Sequence, residues 1–383
     1  MTATLGDWTA APSALAEVLA DAATVATALE YEIAWTRALA AEQLIEPSVA
    51  ERIVAACHAV TTDGLAADAV HAGTLAIALV GRLRADLAGN KAALAALHRG
   101  STSQDLSDTV AAVQRARAAD MIVSDCERCE KALTRLATRT TALPTLGRTL
   151  LVDARPITFG LRAAQWLRGA ALARARLQRE AQAAAVIQFG GAVGTCAGLG
   201  GRGRAVAARV AAELGLSPAV APWHAVRDGP AGFAAALGIL IGAYGKVARD
   251  IALLGLGGLG EVREPAQAGR GGSSAMPGKR NPIGSQVAVS AALRAPGLVA
   301  SVLVGMPQEL ERGLGGWQAE GPAIRELLLL AGGAVAALAA VIDGLEVDED
   351  AIARNLARAD VGSDAGEAEQ LTHLLIQHAE PSV

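Results

Sequence analysis

Apolar residues recur at gaps of three and four along most of the chain, the spacing that places them on one face of a helix. The longest such pattern begins after Asp105, continues to about Thr140 and ends before Pro144. A helix of roughly 35 residues would be about 50 Å long. Comparable patterns occupy residues 159–187, 230–260, 282–304 and 321–345. Because convincing strand alternation is rare, the sequence predicts an all-α protein.

The helical patterns fall into three parts along the chain. We predict an N-terminal helical domain over residues 1–105, a central bundle of long helices over 106–345, and a short C-terminal helical segment over 346–383. Several central helices are apolar on more than one face. A single chain cannot cover all of that surface, so these helices predict a homo-oligomer whose subunits pack against one another.

Composition supports the helical prediction and narrows the range of partners. The chain of 383 residues is 52% hydrophobic and 3% aromatic, with a net charge of −4. Alanine and leucine are abundant, and both favour helices. The small net charge argues against nucleic acid or an anionic membrane surface as a partner. Arg325 and Glu326, followed by Gly332 and Gly333, interrupt the most apolar stretch, so no membrane span is predicted.

The N-terminus and the cysteines predict a cytoplasmic protein. Asp7 and Glu17 lie where a secretory signal would carry basic residues. Cys126 and Cys129 form a C-x-x-C pair, but both fall on the apolar stripe of the long predicted helix. No second pair of cysteines or histidines accompanies them at zinc spacing. We therefore predict core thiols and no metal site.

The glycine-rich stretch 190–203 invites a nucleotide-binding interpretation, because Gly198, Gly200 and Gly203 match G-x-G-x-x-G. However, no predicted strand leads into it and no Gly-Lys-Ser/Thr follows it, so neither a Rossmann turn nor a P-loop is supported. We predict a loop between helices that needs positive φ angles.

A second glycine-led stretch, residues 271–282, carries the clearest chemistry. It reads Gly-Gly-Ser-Ser-Ala-Met-Pro-Gly-Lys-Arg-Asn-Pro, so two hydroxyls, two cations and an amide share one segment. Glycine permits unusual backbone conformations, and proline prevents the segment from continuing as a helix. Such a loop can close over a small anion and present a hydroxyl to it.

Three further segments carry polar side chains. In residues 98–105, the hydroxyls and acid either cap the long helix, through Ser103 or Asp105, or hold a carboxylate at its start. Residues 147–160 contain two arginines, and residues 222–228 and 306–317 contain His224 and Arg312. Taken singly, each arginine is most often structural. A lone histidine is also more often a satisfied core residue than a catalyst.

Together these segments resemble the fumarase/aspartase superfamily. Residues 271–282 fill every fixed position of its signature loop, G-S-S-x-M-P-x-K-x-N-P, and residues 100–105 match its G-x-T-S-x-D region. Residues 147–161, 188–195, 222–228 and 306–317 are similar to the bacterial 3-carboxy-cis,cis-muconate cycloisomerases. The resemblance covers about Thr24 to Arg358. It implies a long central helix bundle, a homotetramer, and active sites that each draw on three subunits.

The resemblance also implies roles for particular residues. Ser273 is the implied base, and Lys279 and Asn281 are implied to hold the charge that grows on a substrate carboxylate. Thr102 and Ser103 are implied to contact a carboxylate. The other implied substrate ligands are His98, Arg148, Thr158, Ser274, Met276, Glu311 and Arg312. The implied substrate is a small di- or tricarboxylate, and no metal or organic cofactor is implied.

The chain departs from that pattern at several positions. The cycloisomerases usually have an aromatic residue at Leu150, glutamine at Val152 and histidine at Asp153. That histidine is a candidate proton donor. They often have histidine at Leu310 and tryptophan at Gly321, and their C-terminal domain is longer. The altered residue at 153 leaves the proton donor open.

We consider two candidate acids and three functions. Asp153 is a proton donor only if its pKa is raised, and we favour a bystander role in which it pairs with Arg148 or Arg155. His224 is the other candidate. The predicted reaction removes a proton next to a carboxylate, and the resulting aci-carboxylate dianion expels a β-leaving group, as in a cycloisomerase. The alternatives are a fumarate-releasing lyase of the nitrosuccinate or adenylosuccinate type and, from another class, an inactive helical scaffold.

Overall fold

Helices dominate the structure, a computed structural model that describes residues 9–273, 275–276 and 278–379. Ser274, one of the implied ligands, lies outside the described residues. The helices are α1 (Ser13–Val18), α2 (Asp21–Ala41), α3 (Pro47–Ala59), α4 (Leu65–Ala72), α5 (Leu75–Asp86), α6 (Lys91–Ala96), α7 (Ser103–Arg139), α8 (Phe159–Ala184), α9 (Gly203–Leu214), α10 (Asp228–Leu254), α11 (Ile283–Val304), α12 (Gly316–Asp343), α13 (Glu349–Ala359) and α14 (Ala368–Gln377). The strands are β1 (Pro144–Thr149), β2 (Val152–Thr158), β3 (Val262–Arg263) and β4 (Glu346–Val347).

The longest helix, α7, forms the axis of the molecule. It begins after Thr102, whose backbone N–H donates to the Asp105 carboxylate at 2.9 Å, a typical way to satisfy a helix start. Its 37 residues make a rod of about 55 Å. Helices α8 and α12 pack along it, and α10 and α11 complete the bundle. The long helices predicted from the apolar spacing are confirmed, with ends shifted by a few residues.

The apolar stripe of α7 contains the two thiols of the C-x-x-C pair. Cys126 and Cys129 are 0% and 1% exposed, in a core that also holds Trp166 and Tyr244. Burial raises the pKa of Cys126 to about 12, so its thiol stays protonated at neutral pH. The prediction that these are core thiols is confirmed.

A second core joins α2 to the first turns of α7. Tyr31 and Trp35 are fully buried there and stack with their ring centroids 5.6 Å apart. Residues from Ile187 to Leu216 belong to the same core, although they follow α8 in the sequence. The predicted domain boundaries at 105/106 and 345/346 stay predictions.

A β-hairpin interrupts the helices, which the sequence analysis did not anticipate. Strands β1 and β2 pair antiparallel, with Thr149 opposite Val152. The two turn residues, Leu150 and Leu151, have φ angles of 51° and 63° and are 97% and 79% exposed. Two-residue hairpins favour Asn-Gly at such positions because bulky side chains are strained at positive φ. The Leu-Leu turn therefore lacks the usual hairpin signal.

Three helices contradict the prediction that no apolar run resembles a membrane span. Helices α10, α11 and α12 are long and apolar enough to cross a membrane by length and composition, and the bent pair α4 and α5 would add a fourth candidate. Arg325 and Glu326 lie early in α12, so the rest of that helix remains apolar. The apolar windows of α10 and α12 are 61% and 78% buried within the protomer, whereas that of α11 is only 22% buried.

Candidate active site

Three polar side chains meet at the N-terminal end of α7. Arg312 donates from Nη1 to the Thr102 hydroxyl at 2.7 Å and from Nη2 to the Ser103 hydroxyl at 3.2 Å. All three residues are partly exposed. Hydroxyls and a guanidinium at a helix N-terminus are suited to bind a carboxylate. The structure thus brings Arg312 to the Thr-Ser pair, about 210 residues earlier in the sequence.

His98 lies just before this group, in the loop that leads into α7. Its Nδ1 is 2.6 Å from Oε1 of Glu32, a carboxylate on α2 with no exposed side-chain surface. Burial alone would lower the pKa of His98, but the Glu32 carboxylate raises it above the usual histidine value. His98 itself has a φ of 55°, a left-handed conformation that histidine tolerates better than most residues.

His224 is buried beneath the same group. It is 3% exposed, and its Nε2 is 2.7 Å from Oδ1 of Asp105. The other oxygen of Asp105 accepts backbone N–H groups from Thr102 and Gly191 at 2.9 Å each. This geometry favours the structural interpretation of His224, and a catalytic role for it stays a prediction.

The glycine-rich stretch forms the wall behind these residues. As predicted, it is a loop with several positive φ angles, including 71° at Gly191. A side chain at Gly191 would meet the Gly100 carbonyl oxygen at 2.9 Å, and one at Gly100 would meet Leu199 at 2.6 Å. Both glycines are therefore required for this loop to pack against the segment that carries Thr102.

A buried ion-pair network lies deeper in the bundle. Arg227 donates to both oxygens of Asp108 at 2.8 and 2.9 Å, and to both oxygens of Glu320 at 2.7 and 3.1 Å. Its guanidinium also lies 4.9 Å from the centre of the Trp223 ring. Burial alone would lower the pKa of Arg227, but the two carboxylates raise it. The network fixes the segment 222–228 against α7 and α12.

A separate polar group lies at the other end of α7, around the β1–β2 hairpin. Arg148 forms two hydrogen bonds to the buried carboxylate of Glu261, at 2.5 and 3.1 Å. Its Nε is 3.3 Å from Oδ1 of Asp153, whose side chain is 43% exposed. The hydrogen bond to Glu261 is the main reason that the pKa of Arg148 is raised. The ion pair expected between Asp153 and Arg148 is present.

The signature loop lies at this same end. Its base is closed by the Asn281 backbone N–H, which donates to the Gly271 carbonyl at 2.8 Å, and by the Asn281 side chain, which donates to the Gly272 carbonyl at 3.4 Å. Gly271 has a φ of 76°, and a Cβ there would meet the Asn281 carbonyl oxygen at 2.8 Å. A cavity of about 400 Å³, lined in part by Arg263 and Lys279, adjoins the loop.

Ser273 and Lys279 occupy different settings within the loop. The Ser273 hydroxyl oxygen accepts backbone N–H groups from Ala275 and Met276, at 3.3 and 3.1 Å. Lys279 is exposed, and among the described residues no carboxylate lies within ion-pair distance of its ammonium. The loop therefore offers a cation whose charge is available to a ligand.

Three other predicted ligands are also placed. The Thr158 hydroxyl, 2% exposed, accepts the Leu161 N–H at the start of α8, so it serves as a helix cap. Met276 is 52% exposed on the signature loop. Glu311 is exposed beside Arg312. The structure thus gives Thr158 a structural task that the sequence pattern did not indicate.

The predicted site residues form two groups rather than one. His98, Thr102, Ser103, His224, Glu311 and Arg312 lie near the start of α7, whereas Arg148, Asp153, Ser273, Lys279 and Asn281 lie near its end. The helix between them is about 55 Å long. Within one chain, the two groups therefore lie at opposite ends of α7.

Several supporting residues escaped the sequence analysis. Glu32, Asp108 and Glu261 each hold a predicted site residue or its segment, but their partners lie 66, 119 and 113 positions away along the chain. The only local signal is an acidic residue on an otherwise apolar helix face, as at Glu32, which predicts a buried partner without naming it.

Comparison with known proteins gives consistent matches. A family model described as lyase matches residues 8–297. The 3-carboxy-cis,cis-muconate cycloisomerase of Pseudomonas aeruginosa is 44% identical over 331 residues, which cover 86% of this chain and 72% of the relative. A nitrosuccinate lyase of Streptomyces davaonensis is 41% identical over 350 residues, covering 88% of this chain and 73% of that relative.

Solved structures agree with these relatives. The 3-carboxy-cis,cis-muconate lactonizing enzyme from Pseudomonas putida superposes with a TM-score of 0.86 at 36% identity, covering 99% of this chain and 88% of the other. A fumarate lyase from Mesorhizobium superposes with a TM-score of 0.84 at 29% identity, covering 98% and 88%. The similarity therefore extends over the whole bundle and both polar groups.

Proposed function

The chain belongs to the fumarase/aspartase family of lyases, and from this premise we propose that it is a 3-carboxy-cis,cis-muconate cycloisomerase-like enzyme. Enzymes of this kind are cofactor-independent. The substrate is a tricarboxylate, and the product is a lactone formed within the same molecule. The process that we propose for it is aromatic catabolism.

The reaction needs a base at the carbon next to a carboxylate. Toward lactone, a substrate carboxylate oxygen bonds to one carbon of a double bond, and the electron pair moves to the aci-carboxylate of the neighbouring group. The Ser273 hydroxyl then donates its proton to the α-carbon and takes up another from solvent, so the lactone contains every atom of the substrate plus that proton. In reverse, Ser273 removes that proton and the carbon–oxygen bond breaks. Lys279 and Asn281 hold the charge of the aci-carboxylate.

The setting of the Ser273 oxygen is the observation that carries this assignment. A serine hydroxyl is a poor base unless its alkoxide is stabilised. The N–H groups of Ala275 and Met276 point at the Ser273 oxygen from 3.3 and 3.1 Å, where they favour a negative charge on it. The Lys279 ammonium, which has no carboxylate partner among the described residues, adds positive charge to the same loop.

The group at the start of α7 supplies the second anchor for the substrate. Arg312, Thr102 and Ser103 are already linked by hydrogen bonds at 2.7 and 3.2 Å. A substrate carboxylate that enters this group gains a bidentate guanidinium partner and two hydroxyl donors. When one end of the substrate is bound here, its α-carbon is free to react with Ser273 of the signature loop.

The two groups meet only if subunits combine, so we propose a homotetramer. The separation along α7 excludes a complete site within one protomer. Helix α11 runs from the signature loop toward Arg312 and leaves Leu293, Leu303 and Val304 at 68%, 47% and 81% exposure. Apolar helix faces of this length are usually covered by another chain. Packing α11 against its copies would bring opposite ends of neighbouring subunits together.

The Asp153–Arg148 ion pair favours a second candidate, a nitrosuccinate-type lyase. The Asp153 carboxylate is engaged by Arg148 at 3.3 Å, which supports a bystander role rather than that of the acid. Nitrite needs little protonation to depart, and fumarate would be the other product. A nitrosuccinate lyase is also among the relatives, at 41% identity. An amine leaving group, as in adenylosuccinate, needs a better acid.

A substrate panel tests these assignments. Purified protein is assayed by ultraviolet absorbance with 3-carboxy-cis,cis-muconate, nitrosuccinate and adenylosuccinate. Turnover of the muconate alone supports the cycloisomerase, and release of fumarate from nitrosuccinate alone supports the second candidate. A folded oligomer that turns over none of the three contradicts both and supports an inactive helical scaffold.

A further inference from the structure

Three neighbouring side chains of helix α2 contact the loop that precedes α7. The Tyr31 hydroxyl is 2.8 Å from the Ser101 hydroxyl, and the Trp35 indole donates to the Arg99 carbonyl at 2.9 Å. Between them, Glu32 reaches His98 at 2.6 Å. All three α2 residues are 0% exposed. The loop that carries the carboxylate-binding hydroxyls is thus fixed from behind by a buried face.

The Glu32 contact differs in kind from the other two because it involves charge. Its second oxygen, Oε2, is buried, and no described residue gives it a hydrogen bond. A buried carboxylate is costly unless a cation neutralises it. The contacting group that can carry a positive charge is the His98 ring, held at a left-handed backbone position four residues before Thr102.

We propose that Glu32 is a positioning residue that keeps His98 as an imidazolium, so that the loop carries a fixed positive charge beside the Thr102–Ser103 hydroxyls and binds an ionised carboxylate of the substrate. This inference rests on the proposed function, since it assigns a carboxylate to that group. His98 contacts the substrate, and Glu32 acts through His98.

The surrounding charges are consistent with this arrangement. Besides Glu32 on α2, Asp105 on α7 also favours the charged ring, whereas Arg84 on α5 opposes it. The balance raises the pKa of His98. The negative charge of Glu32 also helps to raise the pKa of the nearby Cys57 thiol to about 12, after burial as the main cause. Cys57 therefore stays neutral at neutral pH and adds no negative charge near His98.

The expected signature is a substrate affinity that depends on pH. A histidine with a raised pKa is charged below that pKa and loses its charge as pH rises through it. Carboxylate binding therefore weakens with rising pH over that interval. A charged hydrogen bond is worth about tenfold in affinity or more. A neutral His98–Glu32 pair, with the proton on the acid, predicts no such weakening.

The test is the dissociation constant of propane-1,2,3-tricarboxylate, a saturated analogue that cannot react, measured by calorimetry on the intact oligomer between about pH 6 and 9. Wild type is expected to bind about tenfold more weakly at the upper end. In Glu32→Gln, the loss of affinity is expected at lower pH than in wild type. Glu32→Asp keeps the negative charge, so its loss of affinity is expected at the same pH as in wild type. His98→Asn, which tolerates the left-handed backbone, binds weakly with a flat pH dependence.

Tyr31→Phe is the matched control, because it loosens the same loop without changing charge. Its affinity is expected to fall over the same pH interval as that of wild type, even if the affinity itself differs. Three results would each overturn the inference. Glu32→Gln could lose affinity over the same pH interval as wild type, or His98→Asn could retain a pH-dependent affinity. The third is that wild type does not bind the analogue at pH 6. Because the analogue does not turn over, a pH-dependent affinity without activity on any substrate overturns the proposed function and leaves this inference intact.

Discussion

At the scale of single residues, Ser273 gives the sharpest prediction. Ser273→Ala removes the proposed base and is expected to lower kcat by about 10²–10⁴-fold. Assembly should be unchanged, because the side chain lies on a partly exposed loop. Steady-state kinetics and light scattering measure the two effects. Ser48→Ala, at an exposed position in α3, is the control. Activity within about threefold of wild type would show that the base is a residue other than Ser273.

Asp153 gives a prediction of the opposite kind. Its carboxylate pairs with Arg148 at 3.3 Å, which supports the bystander role, so Asp153→Asn is expected to change the rate very little between about pH 6 and 9. The measurement is the pH profile of kcat/KM on the substrate that the panel identifies. A loss of about a hundredfold in a folded variant would instead make Asp153 the proton donor.

Sequence predicts the chemical residues better than the residues that hold them. The signature loop can be recognised from the sequence because its hydroxyl, cation and glycines lie in one short segment. Glu32 and Glu261 carry no such pattern, since neither lies in a recognisable motif. Their roles depend on contacts across 66 and 113 positions, which only the folded chain reveals. For the same reason, the bond between Arg312 and Thr102 does not follow from either segment alone.

At the scale of elements, the β1–β2 hairpin supports a prediction about its turn. Leu150 and Leu151 are bulky, exposed and strained at positive φ, and such strain tends to persist where function requires it. The double substitution Leu150→Asn with Leu151→Gly should keep or slightly raise Tm, because Asn-Gly suits the turn. Catalytic efficiency should fall about tenfold or more if this tip borders the site of another subunit.

Thermal unfolding and steady-state kinetics of the same preparation test the hairpin. Val70→Asn, at another exposed apolar position on α4, controls for removing a surface side chain and should alter neither quantity. Unchanged activity in the double variant would show that the tip lies away from the substrate.

Elements differ in how well the sequence predicts them, for a physical reason. Helices α7, α8, α10, α11 and α12 repeat their apolar spacing over many turns, so the signal accumulates. The hairpin has two short strands and a turn without asparagine or glycine, so neither period nor turn chemistry reveals it. The sequence also predicts the ends of the helices less well than their middles, because the ends depend on caps such as Thr102 with Asp105.

At the scale of the whole molecule, the exposed face of α11 predicts how chains assemble. Leu293→Asp places a charge where a neighbouring subunit is proposed to pack, at a high desolvation cost. We expect the proposed tetramer to dissociate and activity to be lost with it. Light scattering at micromolar concentration and kinetics measure both. Val70→Asp, at 84% exposure on α4, should leave both unchanged. A wild type that is a stable monomer contradicts the proposal directly.

The length of α7 has a genetic consequence. In the proposed homotetramer, each chain contributes its carboxylate-binding end to one site and its signature loop to another. Co-expressing Arg312→Ala chains with Ser273→Ala chains should restore about a quarter of the sites in randomly mixed tetramers, although each variant alone is inactive. Ser273→Ala mixed with Lys279→Ala should restore none, because both defects fall in the same half. On this proposal, two damaged alleles rescue each other only when one lesion lies near the start of α7 and the other near its end.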